Sequence, residues 1–253
     1  MRLMITALMV LAVTAMQSYA DESNADEYAR ARAALVREIE ANVRQTQSYL
    51  GREVLDPRVI AAIGKVPRHE FVPAEYQSSA YLDQPLPIGY EQTISQPYIV
   101  AVMTDLLQVF EGGRVLEVGT GSGYQAAVLG ELCDEVYSIE LVEPLGVRSG
   151  ALLQRLGYDN VHVKIGDGYA GWPEHAPFDG IIVTAAAPHV PEPLIEQLRP
   201  GGRMVIPVGR PFGAQRLLLI EKTAAGEDLF RGAINGDYEG GANIIGLQVS
   251  YKF

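Results

Sequence analysis

The sequence predicts an α/β fold in which a mostly parallel sheet is covered by helices on both faces. From residue 96 onward, strand-like and helix-like patterns alternate, as they do where helices connect parallel strands. The run at 179–184 is almost continuously apolar, as expected of a central strand buried on both faces. A strand-like stretch ending at Val118 leads into closely spaced glycines and an alanine-rich helical pattern, which indicates a tight strand-to-helix turn.

The region before the sheet is predicted to be helical. Residues 24–27 resemble a capping box, and the apolar residues that follow recur at helical intervals, which predicts an amphipathic N-terminal helix. A second helix is predicted from Asp56-Pro57, an N-cap followed by a first-turn proline, to Gly64. Residues 66–73 are interrupted by prolines, and we expect them to lie as an irregular strap across the surface.

The later elements follow from the periodicity of the apolar residues. The predicted helices are 97–110, 123–132, 143–156 and 191–198, and the predicted strands are 114–118, 135–139, 161–165, 179–184, 203–207 and 216–221. Ligands of parallel sheets bind beyond the carboxyl ends of the strands. Residues 119–123, Glu140, Asp167 and Thr184 all fall at the carboxyl ends of strands, so four separate segments are predicted to converge on one rim.

Three alternating glycines, Gly119, Gly121 and Gly123, allow a sharp turn and the close approach of a ligand. A dinucleotide fingerprint would also require glycine at position 124, which is Tyr124 here, so a diphosphate is disfavoured. Glu140 follows the next strand about 20 residues later, where a carboxylate can accept both hydroxyls of a ribose. A plain turn and a surface glutamate are the alternative. The spacing favours an adenosine-containing cofactor without a diphosphate, such as S-adenosyl-L-methionine.

Composition excludes several other classes. A chain of 253 residues with 48% hydrophobic residues accommodates one catalytic domain. Its net charge of −11 provides no basic field for a nucleic-acid backbone, so nucleic-acid partners are not expected. The four histidines are scattered without ligand spacing, and no metal site is expected. The Gly-x-Ser-x-Gly elbow of serine hydrolases is also missing from the glycine-rich turn.

The first 20 residues resemble an export signal. Arg2 supplies the positive end, residues 3–16 the apolar stretch, and residues 18–20 a small-x-small cleavage site before Asp21. An uncleaved anchor is disfavoured because the apolar run is shorter than the roughly 20 residues that cross a bilayer. We therefore expect a periplasmic protein that starts at Asp21, has no membrane span and is a monomer.

Four motifs resemble those of the protein-L-isoaspartate O-methyltransferases, over roughly residues 55–222. They are Val66-Pro-Arg-His-Glu-Phe-Val-Pro73, Leu86-Pro-Ile-Gly-Tyr-Glu-Gln-Thr-Ile-Ser-Gln-Pro-Tyr98, Leu116-Glu-Val-Gly-Thr-Gly-Ser-Gly-Tyr-Gln125, and Gly166-Asp-Gly168 with Pro177-Phe-Asp-Gly-Ile-Ile-Val-Thr-Ala-Ala186. Many methyltransferases share the glycine loop, whereas the block at 92–97 is far more specific. The resemblance implies a Rossmann-like class I methyltransferase fold with an antiparallel C-terminal edge. It also implies methyl transfer from S-adenosyl-L-methionine to the free carboxylate of L-isoaspartyl residues in damaged proteins, which initiates their repair.

The resemblance also implies roles for individual residues. Ser95 would be the active-site hydroxyl, Glu140 would hold the ribose, and Asp167 with Gly168 would border the adenine. The other residues implied to contact the cofactor, besides Ser95 itself, are Thr93, Ile94, Gly119, Thr120, Gly121, Ser122 and Gly123.

Simpler structural roles are open for some of these residues. Ser95 lies just before Pro97 and an apolar helix, where it would also be a favoured N-cap. Asp167-Gly168 is typical of a plain turn after a strand, and Thr184 of a β-former in a core strand.

The chain is thus divided into a signal peptide (1–20), an N-terminal helical segment and strap (21–80), a catalytic domain (81–222) and a divergent tail (223–253). From Asp228 onward the sequence does not resemble the family, whose chains are expected to end in an antiparallel pair. The last stretch alternates apolar and polar residues up to Phe253. We expect a divergent edge strand paired with 216–221; a chance alternation or a fused end is the competing interpretation.

Two other functions fit the same residues. One is a methyltransferase that acts on another protein or small-molecule carboxylate. The other is a non-catalytic binding module that keeps the fold and binds isoaspartyl segments or a partner in the cell envelope.

Overall fold

The computed structural model describes residues 26–185, 187–209, 215–223 and 228–234. The predicted signal peptide and the alternating stretch up to Phe253 lie outside these residues. The α-helices are α1 (26–45), α2 (Gln47–Leu50), α3 (Pro57–Lys65), α4 (Pro97–Leu107), α5 (Tyr124–Gly130), α6 (Glu143–Arg155) and α7 (Glu192–Glu196). The strands are β1 (Leu86–Gly89), β2 (Gln92–Ile94), β3 (Arg114–Val118), β4 (Glu135–Glu140), β5 (Val161–Ile165), β6 (Phe178–Val183), β7 (Leu198–Gly209), β8 (Gln215–Lys222) and β9 (Asp228–Ile234).

The main sheet has the strand order β5-β4-β3-β6-β7-β8-β9 within the described residues. The first five strands in this order are parallel to one another, and β8 pairs antiparallel with both β7 and β9. The predicted fold, a mostly parallel sheet with an antiparallel C-terminal edge, is therefore confirmed. The chain places β4 and β5 on one side of β3 and then β6 on the other, so a topological switch point lies between β3 and β6.

Burial explains the apolar character of the central elements. Val115 and Leu116 of β3 and Ile181 and Ile182 of β6 are fully buried, as their continuous apolar runs predict. Helix α4 is buried along its whole length between the sheet and α3. It ends at Leu107, before the predicted residue 110, because the next residue adopts a left-handed conformation that closes the helix.

The remaining predicted elements are present with shifted ends. Asp56 caps α3 as predicted, since its side chain accepts a hydrogen bond of 2.8 Å from the Arg58 amide. Strand β7 starts at Leu198 and is much longer than the predicted 203–207. A break in the β6–β7 register lets the strand include the intervening Pro-Gly-Gly segment, whose composition argues against a strand.

The prediction of a surface strap at 66–73 is wrong. Val66, Phe71 and Val72 are buried in the main core, and Arg68 is fully buried. The prolines do prevent a regular helix, and Arg68–Phe71 forms one 3-10 turn. The segment is nevertheless buried, because its apolar side chains belong to the same core cluster as those of α4 and α5.

The motif at 86–98 contains a β-hairpin, which was not among the predicted elements. Strands β1 and β2 pair antiparallel, with Leu86 opposite Ile94. The two residues between them, Tyr90 and Glu91, both have left-handed backbones, with φ of 54° and 59°. Such turns favour glycine or asparagine at both positions. Because neither residue type is present at 90 and 91, the sequence gives no hairpin signal here.

The antiparallel edge includes the first part of the predicted divergent tail. Strand β9 begins at Asp228 and pairs with β8, with Leu217 opposite Ile234. An edge strand thus pairs with 216–221 and is formed by the start of the tail. The alternating last stretch, for which this pairing was predicted, lies outside the described residues. Among the described residues, no helix has both the length and the apolar character needed to cross a bilayer.

Candidate active site

A cavity of about 320 Å³ lies at the carboxyl ends of β3, β4 and β6, beside the switch point. Its size falls in the range of small-molecule sites. The predicted site residues that line it are Thr93, Ile94, Ser95, Gly119, Thr120, Gly121, Ser122, Glu140, Asp167 and Gly168. Thr184 lines it as well, so the structure brings the four predicted segments together with the β1–β2 hairpin.

The glycine loop after β3 depends on backbone conformations that other residues avoid. Gly119, Gly121 and Gly123 have positive φ angles of 104°, 54° and 89°. A Cβ atom at Gly119 would lie 2.5 Å from the Thr184 hydroxyl oxygen. The amides of Gly119 and Thr120 donate to the Ile139 carbonyl at 2.8 and 3.2 Å, which fixes the loop against the end of β4.

Glu140 holds the other side of the glycine loop. Its carboxylate accepts hydrogen bonds from the amides of Gly121, at 2.6 Å, and Val142, at 2.8 Å. The residue is 6% exposed and lines the cavity. Because a carboxylate oxygen can accept more than one hydrogen bond, both oxygens keep capacity for the two hydroxyls of a ribose.

Two further strand ends complete the rim. The Thr184 hydroxyl donates to the carbonyls of Val118 and Gly119, and so ties β6 to the start of the glycine loop. Asp167 accepts a hydrogen bond of 2.9 Å from the Tyr169 amide and caps the following 3-10 turn. A Cβ atom at Gly168 would lie 2.3 Å from a Val118 methyl group, so only glycine fits there.

Gly123 differs from the other predicted cofactor residues. It is not among the residues that line the cavity. It is the N-cap of α5, and a Cβ atom on it would lie 3.2 Å from Leu153 and 3.4 Å from Ser149 of α6. Its place in the loop is therefore explained by its left-handed backbone and close helix packing rather than by a ligand.

The expected N-cap role of Ser95 is wrong. The N-cap of α4 is Gln96, and its side chain makes no capping hydrogen bond. Asp83 caps the helix from a distant part of the chain, because its carboxylate accepts a hydrogen bond of 2.8 Å from the Tyr98 amide. Asp83 also accepts from the side chains of Gln96, at 3.1 Å, and Asn42, at 2.9 Å.

A buried hydroxyl–carboxyl chain lies beneath the glycine loop. The Thr120 and Ser138 hydroxyl oxygens are 2.5 Å apart, and the Ser138 hydroxyl donates to Glu117. Glu117 is fully buried in β3, and burial raises the pKa of its carboxyl from 4.5 to about 8. The hydrogen bond from Ser138 opposes this rise in the pKa, and the nearby Glu140 carboxylate contributes to it.

These residues fit an adenosine-containing donor. The glycine loop offers close approach to backbone, Glu140 offers a ribose acceptor, and the remaining walls are largely apolar. The described residues that line the cavity include the carboxylates of Glu140 and Asp167 and no lysine, arginine or histidine. The site is thus built for a ligand with hydroxyl groups and positive charge rather than for a polyphosphate.

Comparison with known proteins gives the family. The model of the protein-L-isoaspartate(D-aspartate) O-methyltransferase family matches residues 41–234. The chain belongs to this family. The match extends beyond the 55–222 of the four motifs and includes β9, so the expected departure from the family at Asp228 is wrong for that strand.

Individual members of the family are close relatives. The chain is 62% identical over 201 residues to protein-L-isoaspartate O-methyltransferase 2 of Syntrophobacter fumaroxidans, covering 79% of this chain and 81% of the relative. It is 60% identical over 201 residues to protein-L-isoaspartate O-methyltransferase 1 of Cupriavidus necator, covering 79% and 78%.

Solved structures agree with this membership. A protein-L-isoaspartate O-methyltransferase superposes with a TM-score of 0.63 at 30% identity, covering 79% of this chain and 66% of the other. A Plasmodium falciparum protein, solved with S-adenosyl-L-homocysteine, gives 0.60 at 25% identity, covering 76% and 94%. The predicted class I S-adenosyl-L-methionine-dependent protein carboxyl methyltransferase is therefore confirmed as to family, fold and cofactor class.

Sequence analysis missed several residues that line the cavity. Leu141 and Val142 directly follow Glu140, and Tyr169 follows Asp167-Gly168. Leu141 is 70% exposed and Tyr169 is 49% exposed, both unusual for large apolar side chains. Their positions next to recognised site residues were the available signal. Pro188 and Pro191 also line the cavity, from a segment whose sequence carries no comparable signal.

Proposed function

We propose that this chain transfers the methyl group of S-adenosyl-L-methionine to the free carboxylate of L-isoaspartyl residues in damaged proteins, and so initiates their repair. One observation carries the proposal: the Ser95 segment and the glycine loop with Glu140 line the same cavity. A donor held by the loop and an acceptor held near Ser95 therefore share one enclosure. Membership in the protein-L-isoaspartate O-methyltransferase family supports this activity.

The donor side of the cavity provides binding and orientation. When bound, S-adenosyl-L-methionine supplies a methyl group activated by a sulfonium charge. Glu140 accepts the ribose hydroxyls, Gly119 and Gly121 allow close contact with the backbone, and Asp167 with Gly168 borders the adenine. The loop is fixed by hydrogen bonds to Ile139, Thr184 and Glu140, so little further ordering is needed when the ligand binds.

The acceptor side needs no general base. A carboxyl group with a pKa near ~4 is ionised at neutral pH, so the nucleophile is already present. The Ser95 hydroxyl would orient one carboxylate oxygen by donating a hydrogen bond. The other oxygen would attack the methyl carbon in line, so that the new O–C bond forms as the S–C bond breaks and the neutral thioether S-adenosyl-L-homocysteine leaves. The start of α4, two residues after Ser95, adds the favourable potential of a helix N-terminus. Catalysis then consists of positioning two reactants in a cavity with apolar walls.

A paired-peptide assay tests this function. The purified chain is incubated with methyl-labelled donor and with two peptides that differ only in an isoaspartyl or an aspartyl residue. We expect base-labile methyl ester on the isoaspartyl peptide alone. Donor binding without label on either peptide would instead favour a methyltransferase for another carboxylate. Absence of donor binding would favour a non-catalytic binding module.

We also propose that the enzyme is exported to the periplasm after cleavage near Ala20. The positive Arg2, the apolar residues 3–16 and the small residues at the cleavage site support this proposal. Expression with the native N-terminus in a Gram-negative host, followed by fractionation and mass measurement, tests it. We expect a periplasmic product that starts at Asp21. A cytosolic product that retains Met1 or Arg2 would contradict export.

We further propose that the enzyme acts as a monomer. All residues assigned to donor and acceptor belong to one chain and line one cavity, so the site is complete without a second copy. Light scattering of the active protein tests this, and a dimer mass at assay concentration would contradict it.

A further inference from the structure

The strap residue Arg68 has an unusual environment for an arginine. It is fully buried, although arginine is among the residues least often found in the interior. Its Nε donates to the Ala80 carbonyl at 2.9 Å, and its Nη2 donates to the Ser95 carbonyl at 2.8 Å and more weakly to that of Gln84 at 3.4 Å. One guanidinium therefore connects the strap, the segment before the hairpin and the proposed active-site serine.

The same guanidinium also reaches the donor side of the site. Its central carbon lies 4.8 Å from the centre of the Tyr124 ring, within the range of a cation–π contact. Tyr124 directly follows Gly123 at the end of the glycine loop and lines the cavity. Arg68 thus contacts residues from both walls between which methyl transfer takes place.

Packing alone does not explain why a charged side chain is buried at position 68. Burial lowers the pKa of Arg68 to about 10, so the side chain is still charged at neutral pH. Within the described part of the chain, its Nη1 has no hydrogen-bond partner. Apolar side chains of similar volume often replace buried ion pairs without loss of stability, so burying a charged group is weak evidence for a stabilising role. The guanidinium is therefore better explained by what it holds in place than by the space it fills.

The neighbours of Ser95 are held by a second, half-buried charged group, Asp83. Asp83 binds the Gln96 side chain and the Tyr98 amide, which fixes the chain immediately after Ser95. Arg68 binds the carbonyl of Ser95 itself. We infer that Arg68 is a positioning residue for methyl transfer, which fixes Ser95 relative to the glycine loop. This inference rests on the proposed role of Ser95 as the hydroxyl that orients the acceptor.

Three variants test the inference. Arg68→Met removes the hydrogen bonds to the carbonyls and keeps the volume, whereas Arg68→Lys keeps the charge and loses the planar fork. Val66→Ala is the matched control, because Val66 is a fully buried neighbour in the strap that belongs to the apolar core. Each variant is assayed for kcat and KM with an isoaspartyl peptide, for donor-product affinity by calorimetry, and for amide exchange over residues 92–98.

We expect Arg68→Met to lower kcat by about 100-fold, the scale of misplacing a reacting group by an ångström. Donor-product affinity should be nearly unchanged, because backbone hydrogen bonds hold the glycine loop. Arg68→Lys should lower kcat by about tenfold, since one ammonium group cannot reproduce the planar arrangement of donors in the guanidinium. Amide exchange over 92–98 should accelerate in Arg68→Met and not in Val66→Ala. If Arg68→Met fails to fold, kcat and amide exchange of Arg68→Lys are compared with those of Val66→Ala instead.

Two results would overturn the inference. One is a loss of kcat no larger in Arg68→Met than in Val66→Ala. The other is unchanged exchange over 92–98 in both Arg68 variants, which needs no catalysis to be measured. Failure of the proposed function would look different from failure of this inference. In that case the wild-type chain would form no ester on the isoaspartyl peptide, independently of the exchange data.

Discussion

The Glu140 carboxylate accepts a 2.6 Å hydrogen bond from the amide of Gly121, although Glu140 ends β4 and Gly121 follows β3. The same carboxylate binds the Val142 amide and so turns the chain toward α6. The group proposed to bind the ribose thus also holds the middle of the glycine loop in shape. The donor site is therefore organised by its own acidic residue.

Replacing Glu140 should weaken donor binding. Glu140→Ala removes the ribose acceptor and the hydrogen bond to Gly121, and we expect donor-product affinity to fall by about 10–100-fold, the scale of hydrogen bonds to a charged group. Calorimetry with S-adenosyl-L-homocysteine measures this. Glu143→Ala is the control, because Glu143 is exposed in the first turn of α6. Equal dissociation constants for Glu140→Ala and wild type would refute the assigned role.

Replacing Ser95 should affect turnover instead of donor affinity. Ser95→Ala removes the hydroxyl that orients the acceptor carboxylate, and we expect kcat to fall by about 100-fold, the lower end of the loss when a preorganised donor is removed. Initial rates at saturating isoaspartyl peptide measure kcat, and calorimetry checks that donor affinity is retained. The exposed Ser78 provides the control variant Ser78→Ala. Wild-type turnover in Ser95→Ala would exclude Ser95 from the mechanism.

The parts of the fold that were predictable are those with local signals. The apolar run of β6 and the glycines after β3 each carry their periodicity or conformational preference within a few residues. The convergence of Glu140 and Asp167 on one cavity followed from a general rule on where parallel strands end. These features could be read from the sequence because the local pattern and the final structure agree.

The parts that were not predictable depend on distant residues. Asp83 caps α4 from 15 positions before Tyr98, so no capping pattern next to the helix reveals it. Arg68 is buried because carbonyls from two other segments accept its hydrogen bonds. The β1–β2 turn uses Tyr90 and Glu91 in left-handed conformations without the usual turn residues. In each case tertiary contacts override the local preference.

A methyl group at Gly168 should disturb the adenine side of the site. In Gly168→Ala the new Cβ would lie 2.3 Å from Val118, so the turn carrying Asp167 must shift. We expect stability to fall by about 1–3 kcal/mol, as for overpacking elsewhere, together with weaker donor binding. Chemical denaturation and calorimetry measure the two effects.

Gly166 provides the matched control for that substitution. A Cβ atom on Gly166 meets nothing within 4 Å, so Gly166→Ala should leave both quantities close to wild type. Adding Val118→Ala to Gly168→Ala should restore part of the lost stability, because it removes the methyl group that clashes. Equal behaviour of Gly168→Ala and Gly166→Ala would contradict the steric account.

The buried Glu117 should make stability depend on pH in a defined direction. Burial raises the pKa of its carboxyl from 4.5 to about 8 in the folded chain. Below the lower value both folded and unfolded states are protonated, and the group imposes no penalty. Between the two values the unfolded state ionises while the folded state stays protonated, so the folded state loses stability as pH rises toward 8. Glu117→Gln keeps a hydrogen-bond acceptor for Ser138 and cannot ionise.

We therefore expect wild type to lose about 5 kcal/mol relative to Glu117→Gln between acidic and mildly alkaline pH. Free energies of unfolding from denaturant titrations at several pH values measure the difference, with the exposed Glu75→Gln as the control. Ionisation of Glu117 should also affect the donor site, because Glu117 is hydrogen-bonded to Ser138, and Ser138 to Thr120 in the glycine loop. Parallel pH profiles for wild type and Glu117→Gln would show that this carboxyl titrates alike in both states.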